Sequence, residues 1–498
     1  MCQPTGMSST PLLAYERVES RIESLIQNGT LRPGDRVPSI REICRREGVS
    51  KITVMQALSN LEAKSLVHAQ PRSGFFVQSL ARLPLPQLPD LSPHPREPRL
   101  SDDVARVFRD LQKPGTIALG AGTPDGALLP TAEIARCVAR AARVHASKFG
   151  GYSMCDTDLP LRREIALRLA RSGGEVSPDE IVITNGCMDA LNLSLRAVAK
   201  PGDTVLVETP TYFGLVQMIE SLGMKTLGVP ATCGEGLDVA AFERAIKKHN
   251  IAACVLIPSF GNPHGANLSE ERRQAVVDIA RKHGVPMIED DIYGELGFEQ
   301  PQPRPLKSLP GATDVILCGS LSKSLSPAMR VGWAVAGRHA ENVRRLKWIT
   351  SITTPHVTSL AAADYLRSGG FDRHLRALRK TLETQMCRVS NAIAKSFPQG
   401  TALSRPSGGY FLWAELPWRI DSLKLRDAAI ERNISICPGP IFSVEGEFRH
   451  FIRLNCALAL DEKVLRAIET LGGIAHQLNT PAQSGTRNKP SRSAVIHA

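Results

Sequence analysis

Apolar runs and helical segments alternate along most of this chain, from about residue 113 to residue 476. Five short apolar runs, each typical of a buried strand, lie at 180–184, 203–208, 252–258, 285–290 and 314–319. Segments with helical spacing separate most of them, for example residues 269–284. This alternation predicts an α/β domain with a largely parallel sheet. Ligands bind such sheets beyond the carboxyl ends of the strands.

The first 80 residues follow a different pattern, which predicts three helices and a hairpin. A second helix would follow Ser39 and end at Gly48, and a third would begin after Ser50. Two short helices joined by a brief turn form a helix-turn-helix, whose second helix enters the major groove of DNA. Two short strands around residues 71–74 would form a wing. The buried face of the first helix, within residues 11–27, would carry Leu13, Val18, Ile22 and Ile26. The buried face of the third helix would carry Val54, Ala57, Leu58 and Leu61.

Proline and polar residues divide the chain. Six prolines stand between Pro84 and Pro98. Because proline lacks a backbone N–H and fixes φ, this stretch is expected to be a semi-extended linker. The last residues are polar and lack apolar periodicity, which is typical of a disordered tail. The expected units are a block at 11–79, a linker at 80–112, an α/β domain at 113–476 and a tail at 477–498.

Composition narrows the class of protein. Hydrophobic residues make up 42% and charged residues 22%, as in ordinary globular proteins. No run approaches the ~20 apolar residues that span a bilayer, and the N-terminus has no signal-peptide pattern, so a cytoplasmic protein is expected. The eleven cysteines show no metal-ligand spacing, which predicts a reducing compartment and no metal site. The net charge of +12 permits binding to a polyanion but does not establish it.

The N-terminal block contains a specific motif string, PGDRVPSIREICRREGVSKITVMQALSNLEAKSLV at 33–67, followed by RSGFFV at 72–77. In this string the block resembles the GntR family of winged helix-turn-helix regulators. The resemblance implies binding to double-stranded DNA, with Arg72 and Gly74 at the wing tip in the minor groove. Arginine can hydrogen-bond guanine O6 and N7 together, and hydroxyl groups near a helix N-terminus suit phosphate. A small helical protein-interaction module is the alternative. Contacts to phosphates and base edges would come from Ser39, Arg41, Ser50, Lys51 and Thr53.

A lysine motif follows the apolar run at 314–319. Lys323 lies in GSLSKSLSPAMRVGW, with Ser320 and Ser322 before it and Arg330 seven residues after it. This order resembles the lysine motif of fold-type-I aminotransferases of class I and II, a resemblance that covers about 113–475. It implies a large α/β sheet domain, a smaller C-terminal α+β subdomain, and pyridoxal 5′-phosphate (PLP) held as an aldimine on Lys323. The two serines and Arg330 would bind the phosphate of PLP, to which arginine offers a planar fork.

The same resemblance assigns the groups around the PLP ring. Asp290 and Tyr293 fit the family's D-x-x-Y pattern, in which the aspartate pairs with the pyridinium nitrogen and keeps the ring an electron sink. Asp291 is adjacent, but the spacing to Tyr293 favours Asp290. Tyr293 and Asn262, the latter in PSFGNPHG, would hydrogen-bond the ring oxygen O3′. Tyr212, in ETPTYFG, resembles the aromatic residue that stacks on the ring, and core packing is its alternative.

Three further positions complete the site that the resemblance implies. The backbone N–H groups of Gly186 and Cys187 would face the phosphate at a helix N-terminus, where the dipole favours anions. Tyr152, in GGYSMCD, aligns with the tyrosine that reaches the phosphate of the neighbouring subunit, which implies a homodimer. The family's glycine five residues later is Thr157 in this chain. Arg453, in FIRLNCAL, aligns with the arginine that binds a substrate α-carboxylate, and an ordinary strand arginine is the alternative.

The order of winged block, proline-rich linker and aminotransferase-like domain resembles the MocR subfamily of GntR regulators over nearly the whole chain. That resemblance implies a homodimeric transcriptional regulator. The effector would be PLP itself, or an amino acid or amine that displaces Lys323 from PLP. Its binding would change the closure of the small domain and the distance between the two DNA-binding blocks of the dimer. Segments at 407–416 and 437–443 resemble the small domain that closes over the ligand. The rival interpretation is a working PLP-dependent aminotransferase with an appended DNA-binding domain. A third is a DNA-binding protein with a vestigial PLP fold, against which Lys323, Asp290 and Arg330 together argue.

Overall fold

The structure is a computed structural model that describes residues 12–71, 73–78, 83–89, 91, 94–96, 102–152 and 158–480. The predicted wing-tip contact Arg72 lies outside the described residues, as do Thr157 and most of the predicted tail, residues 481–498. Within the described ranges, no helix is both long and apolar enough to cross a membrane. The same ranges hold no group of three or more His, Cys, Asp or Glu side chains placed to bind a metal ion.

The N-terminal block consists of three helices and an antiparallel hairpin. Ser39 caps the second helix by accepting a hydrogen bond from the backbone N–H of Glu42 (3.3 Å), and Ser50 caps the third by accepting one from Thr53 (3.2 Å). Both helix starts therefore lie where the serines predicted them. One core residue was predicted wrongly: Leu13 is 57% exposed, because it precedes the first helix instead of belonging to its buried face. The elements are α1 (Ala14–Gln27), α2 (Ile40–Glu47), α3 (Lys51–Ala63), β1 (Val67–Gln70) and β2 (Gly74–Val77).

The segment between the two blocks begins without regular structure and ends as a helix. Residues 83–89 form no helix or strand, as the prolines predicted, and the carbonyl of Pro84 accepts a hydrogen bond from the N–H of Leu403 (2.8 Å). Residues 102–112 had been assigned to the linker, but they form helix α4 (Asp102–Gln112). Val104 and Val107 are buried in an apolar cluster with Trp413, because their spacing places both on one helix face.

The large domain is built on an eight-stranded sheet. The strands are β3 (Ile181–Thr184), β4 (Thr204–Thr209), β5 (Lys225–Thr232), β6 (Gly236–Leu237), β7 (Ile251–Leu256), β8 (Met287–Asp290), β9 (Val315–Ser320) and β10 (Gly332–Val335). Their order is β3-β10-β9-β8-β7-β4-β5-β6. Strands β5, β4, β7, β8 and β9 are parallel neighbours, so the predicted parallel sheet is confirmed, whereas β10 runs antiparallel to both β3 and β9.

Helices cover this sheet, and buried strands separate them as expected for an α/β domain. The five apolar runs identified in the sequence all became strands, namely β3, β4, β7, β8 and β9. The helices are α5 (Thr131–Val144), α6 (Leu159–Arg171), α7 (Cys187–Val198), α8 (Phe213–Ser221), α9 (Val239–Lys248), α10 (Glu270–His283), α11 (Ala340–Ser351) and α12 (His356–Arg367).

A long helix leads from the large domain into a smaller α+β subdomain. Helix α13 (Gly370–Ser396) buries Phe371 and Leu375 in the core of the large domain and Val389 and Ile393 in the core of the smaller one. The small sheet is antiparallel, in the order β11-β12-β14-β13. Helix α15 ends three residues beyond the expected domain boundary at 476. The elements are β11 (Ala402–Leu403), β12 (Phe411–Glu415), α14 (Ser422–Ile430), β13 (Cys437–Pro438), β14 (Phe451–Asn455) and α15 (Glu462–Asn479).

Candidate cofactor site and DNA-binding surface

Lys323 lies three residues beyond the end of β9, at the sheet edge where ligands were expected. Its Nζ donates a hydrogen bond to the carbonyl of Gly122 (2.5 Å), and the Tyr410 hydroxyl donates to the same carbonyl (3.2 Å). Burial, together with the positive charge of Arg453, lowers the pKa of Lys323 to about 8, although the charge of Asp290 acts in the opposite direction. A substantial fraction of the amine is therefore uncharged, and nucleophilic, near neutral pH.

Asp290 ends β8 and is 6% exposed. Its Oδ1 accepts hydrogen bonds from the Cys187 thiol and from the backbone N–H of Ile292, both at 3.3 Å. Burial raises the pKa of Asp290 to about 6, although these hydrogen bonds and Lys323 act in the opposite direction. The carboxylate is thus ionised at neutral pH, yet it forms no ion pair within the described part of the chain. A buried anion of this kind needs a cationic partner.

Two of the predicted phosphate residues, Gly186 and Arg330, meet where α7 begins. Gly186 is the N-cap of α7, with φ at 95°, and the Arg330 guanidinium lies against it. A Cβ atom at Gly186 would lie 2.5 Å from Nη2 of Arg330, so only glycine fits here. Arg330 also donates to the carbonyl of Asn185 (2.6 Å), and Ser320 accepts from the backbone N–H of Ser322 (3.0 Å). The helix N-terminus, two serines and an arginine form a donor set suited to a phosphate group.

Arg453 lies on β14 and is 1% exposed. A position on a strand also fits the alternative, in which Arg453 is an ordinary strand arginine. Its Nη1 donates to Oδ1 of Asn262 (2.9 Å) and its Nη2 to the carbonyl of Gly120 (2.7 Å). The guanidinium lies over the ring of Phe411, 4.3 Å from its centroid. Its Nε is buried without a hydrogen-bond partner, and no described carboxylate pairs with it. This buried cation therefore has charge and a donor left for an anionic ligand.

The predicted ring contacts lie around the same groups. Tyr212 is close enough to Arg453 and Asp290 for both charges to act on its pKa, which burial raises. A Cβ atom at Gly214 would lie 2.6 Å from the Tyr212 ring, so glycine at this position lets the ring approach the start of α8 closely. Tyr293 is buried against Tyr410, with ring centroids 5.7 Å apart. Burial raises the pKa of Tyr293 well above its ordinary range, which keeps its hydroxyl protonated.

Among the predicted cofactor residues that the structure describes, only Tyr152 lies outside this cluster. Its side chain is 72% exposed. That position agrees with a tyrosine that acts on a neighbouring subunit, but nothing within one chain tests the role, which stays a prediction.

Several residues of the site were not identified from the sequence. The carbonyls of Gly120 and Gly122 accept from Arg453 and Lys323, and the Cys437 thiol donates to Gly120 (3.0 Å). Tyr410 stands in the segment at 407–416, which was assigned only to the closing domain. The two glycines in LGAGTP, at 119–124, were the sequence feature from which these two carbonyls could have been identified.

A cavity of about 910 Å³ lies beside this cluster and distinguishes the two neighbouring aspartates. Asp291, Arg379 and Trp333 line it, and of the predicted cofactor residues only Ser320 does. Burial and the nearby Glu289 raise the pKa of Asp291 well above its usual range. Asp290 instead accepts a hydrogen bond from the Cys187 thiol, so the two carboxylates have different surroundings. The pairing of Asp290 with the pyridinium nitrogen stays a prediction.

In the N-terminal block, the predicted DNA contacts lie at the starts of α2 and α3 and at the wing. Lys51 and Arg41 are exposed, and the Ser50 and Thr53 hydroxyls hydrogen-bond each other (2.9 Å) at the start of α3. Gly74 has φ at 102°, and a Cβ atom there would lie 3.4 Å from Nε of Arg36. Arg36, which was not singled out from the sequence, therefore adds an exposed cation at the wing. Exposed cations around a helix N-terminus are suited to a phosphate backbone.

The chain matches two family models. Residues 114–471 match the family described as aminotransferase class I and II, and residues 14–77 match bacterial regulatory proteins of the gntR family. The chain is 34% identical to the uncharacterized HTH-type transcriptional regulator YjiR of Escherichia coli, over 92% of this chain and 98% of that protein. It is 32% identical to 2-aminoadipate transaminase of Thermus thermophilus, over 74% of this chain and 92% of the enzyme.

Solved structures give the same result for the C-terminal domain. The α-aminoadipate aminotransferase LysN of Thermus thermophilus, complexed with N-(5′-phosphopyridoxyl)-L-leucine, is 30% identical with a TM-score of 0.70, covering 76% of this chain and 97% of that one. The kynurenine aminotransferase of Pyrococcus horikoshii is 27% identical with a TM-score of 0.71, covering 77% and 96%. This chain therefore belongs to the class I and II aminotransferase family, in the MocR-type arrangement in which a GntR regulatory domain precedes the aminotransferase domain.

Proposed function

We propose that this chain is a PLP-dependent transcriptional regulator that binds DNA through its N-terminal block. The observation that carries the proposal is the buried trio of Lys323, Asp290 and Arg453 in a chain that also displays a capped, exposed recognition helix. Neither Asp290 nor Arg453 has an ion-pair partner within the described residues. A ligand with both a cationic and an anionic group would satisfy them.

The residues present fit PLP. The unpaired carboxylate of Asp290 suits a protonated pyridine nitrogen, Tyr293 and Asn262 suit the ring oxygen, and Tyr212 suits the ring face. The cradle of Gly186, Ser320, Ser322 and Arg330 suits the phosphate. Bound there, PLP supplies an aldehyde that condenses with amines and a ring that withdraws electrons. Lys323 would hold the cofactor covalently. The structure of LysN with N-(5′-phosphopyridoxyl)-L-leucine supports the binding of PLP by this fold.

The effector would be an amino compound that carries a carboxylate, or PLP itself. Arg453 supplies the cation for a carboxylate at the end of the site nearest Asn262. An amino acid that took the place of Lys323 would bring this carboxylate to Arg453 and favour closure of the small subdomain. A ligand shifts such an equilibrium only through different affinities for the two conformations.

A homodimer is the proposed assembly. Tyr152 is 72% exposed, and Trp348, Ile349 and Ile352 at the end of α11 are also exposed. Exposed large apolar side chains grouped in this way are typical of an interface, and a two-fold dimer would present two N-terminal blocks to DNA.

Binding of the full chain to its own upstream DNA tests the regulatory proposal. We expect a footprint that changes when PLP, or PLP with an amino acid, is added, and an affinity that falls steeply with salt because phosphate contacts release counterions. Failure to retain any duplex at moderate salt would contradict the proposal.

A working aminotransferase is the second candidate, and Arg453 favours it. The carboxylate-binding arginine is retained together with the lysine and the aspartate, so the site has the groups that amino-group transfer needs. Turnover at ordinary enzymatic rates, without any effect of ligand on DNA binding, would favour this candidate over the regulator.

The pH dependence of PLP attachment follows from the lowered pKa of Lys323. Attachment needs the uncharged amine, and its fraction rises with pH through the pKa. We expect the rate of attachment to rise with pH, with a midpoint at about pH 8, well below the pKa of 10.5 of an ordinary lysine. Borohydride trapping followed by intact-mass measurement, between about pH 6 and about pH 10, gives the profile.

A variant of Arg453 checks the electrostatic part of that profile. Because the Arg453 charge lowers the pKa of Lys323, Arg453→Met should move the midpoint to higher pH. A midpoint that stays near 10.5 in the unmodified chain, or one that Arg453→Met shifts downward, is the contrary result.

A further inference from the structure

Helix α3 has two faces of different character. Val54, Ala57, Leu58 and Leu61 are buried against the rest of the N-terminal block. Ile52, Met55, Gln56 and Ser59 recur at helical spacing on the opposite face, and all four are exposed. We call these four residues the outer stripe of α3. It carries no charged side chain, although charged residues flank it.

Two members of the outer stripe are aliphatic. Ile52 is 82% exposed and Met55 is 40% exposed. Scattered exposed apolar residues are common and need no explanation alone. Here, however, the pair lies at i and i+3 in the first turns of α3, directly after the Ser50 cap and the exposed Lys51, whose groups suit DNA phosphates.

Gln56 is held in place beside this pair. Its Nε2 donates to Oδ1 of Asn60 (3.1 Å), and Asn60 in turn donates to the buried Glu19 (2.8 Å). The second N–H of the Gln56 amide and its Oε1 are left for a ligand. A glutamine with one amide N–H and its Oε1 free can pair with the N7 and N6 groups of adenine.

We propose that Ile52 and Met55 contact the methyl groups of thymines in the major groove and that the outer stripe selects A·T base pairs. The thymine methyl is the apolar group that base pairs present in that groove, and the adenine opposite it presents the groups that suit Gln56. An arginine on the outer stripe would instead favour guanine, and the stripe has none. This inference rests on the proposed DNA binding and adds the class of base that is read.

Removal of single thymine methyl groups tests the proposal. The full chain loaded with PLP is used to enrich duplexes from a random library. Affinities are then measured by fluorescence anisotropy at one salt concentration, with each thymine of an enriched duplex replaced in turn by uracil. At the contacted positions we expect about fourfold weaker binding per lost methyl, the factor for burying one such group. Ile52→Ala should lose the thymine preference at the position that Ile52 contacts and keep it at the position that Met55 contacts.

Control variants separate this readout from general effects. Leu167→Ala removes another exposed aliphatic side chain, 57% exposed, which lies on α6 of the large domain, and it should keep the full thymine preference. Lys51→Ala should weaken binding to both duplexes alike and lower the salt slope by about one.

Two results overturn the proposal. If duplexes are enriched but uracil has no effect, or if Ile52→Ala and Met55→Ala keep the thymine preference, the outer stripe does not read thymine. If no duplex is enriched, the proposed DNA binding itself fails, and this inference fails with it.

Discussion

Replacing Lys323 by alanine is expected to abolish covalent capture of PLP. No other described lysine has Nζ beside Asp290 and the carbonyl of Gly122, so no amine would take its place. Borohydride reduction in the presence of PLP should raise the intact mass of the unmodified chain by one cofactor and leave that of Lys323→Ala unchanged. The Gly122 carbonyl keeps the Tyr410 hydroxyl as a donor, so the fold should survive the substitution.

Lys307 offers a matched control for this experiment. It is another largely buried lysine, and burial lowers its pKa as well, but it lies by Glu180, Asp314 and Glu289, away from the predicted cofactor residues. Lys307→Ala should therefore gain the cofactor mass like the unmodified chain. A cofactor mass that persists in Lys323→Ala, or one that disappears in Lys307→Ala, would place the attachment elsewhere.

The parallel strands could be predicted because each is buried on both faces. Such strands appear in the sequence as uninterrupted apolar runs, and β4 and β7 are examples. Strand β10 was not identified because its first two residues, Gly332 and Trp333, already belong to the lysine motif, and because it pairs antiparallel to β3, far earlier in the chain, as well as to β9. Helix α4 was missed because prolines dominated the composition of the preceding segment, although Val104 and Val107 already had helical spacing.

Most of the candidate site residues were predicted from their side chains. Lys323, Asp290 and Arg330 have distinctive residue types near strand ends, Arg453 lies within β14, and the structure brings the four close enough for their charges to interact. The Gly120 carbonyl could not be identified in this way, because every residue carries a carbonyl and only the fold decides which one meets a buried arginine. The unpaired state of Asp290 also becomes visible only when its neighbours in space are known.

The N-terminal block contacts the large domain through a buried charge cluster. Lys64, which follows α3, places its Nζ 3.0 Å from Glu19 and 2.9 Å from both Glu23 and Glu383. Burial alone would lower the pKa of Lys64, but the three carboxylates outweigh it and hold the pKa above its ordinary value. Glu383 lies on α13, the helix that enters the cores of both the large domain and the smaller subdomain. A movement of the smaller subdomain would therefore be transmitted to the N-terminal DNA-binding block through this contact.

Lys64→Met is expected to destabilise the N-terminal block by about 3–5 kcal/mol, because it leaves buried carboxylates together without their cation. Urea unfolding followed by far-UV circular dichroism measures the loss. Lys247→Met is the matched control: it removes an exposed lysine from a surface pair with Glu243 and should leave the free energy of unfolding nearly unchanged.

Glu383→Gln separates communication from stability, because Lys64 keeps Glu19 and Glu23 as partners. The variant should fold and bind DNA without ligand, whereas the change in DNA affinity on adding PLP should become smaller. The reason is that the charged contact between Lys64 and α13 is gone, which leaves Lys380 of α13, 4.8 Å from the centroid of the Tyr15 ring, as a remaining contact between the same parts. Equal responses to PLP in Glu383→Gln and the unmodified chain would show that the two domains communicate by another route.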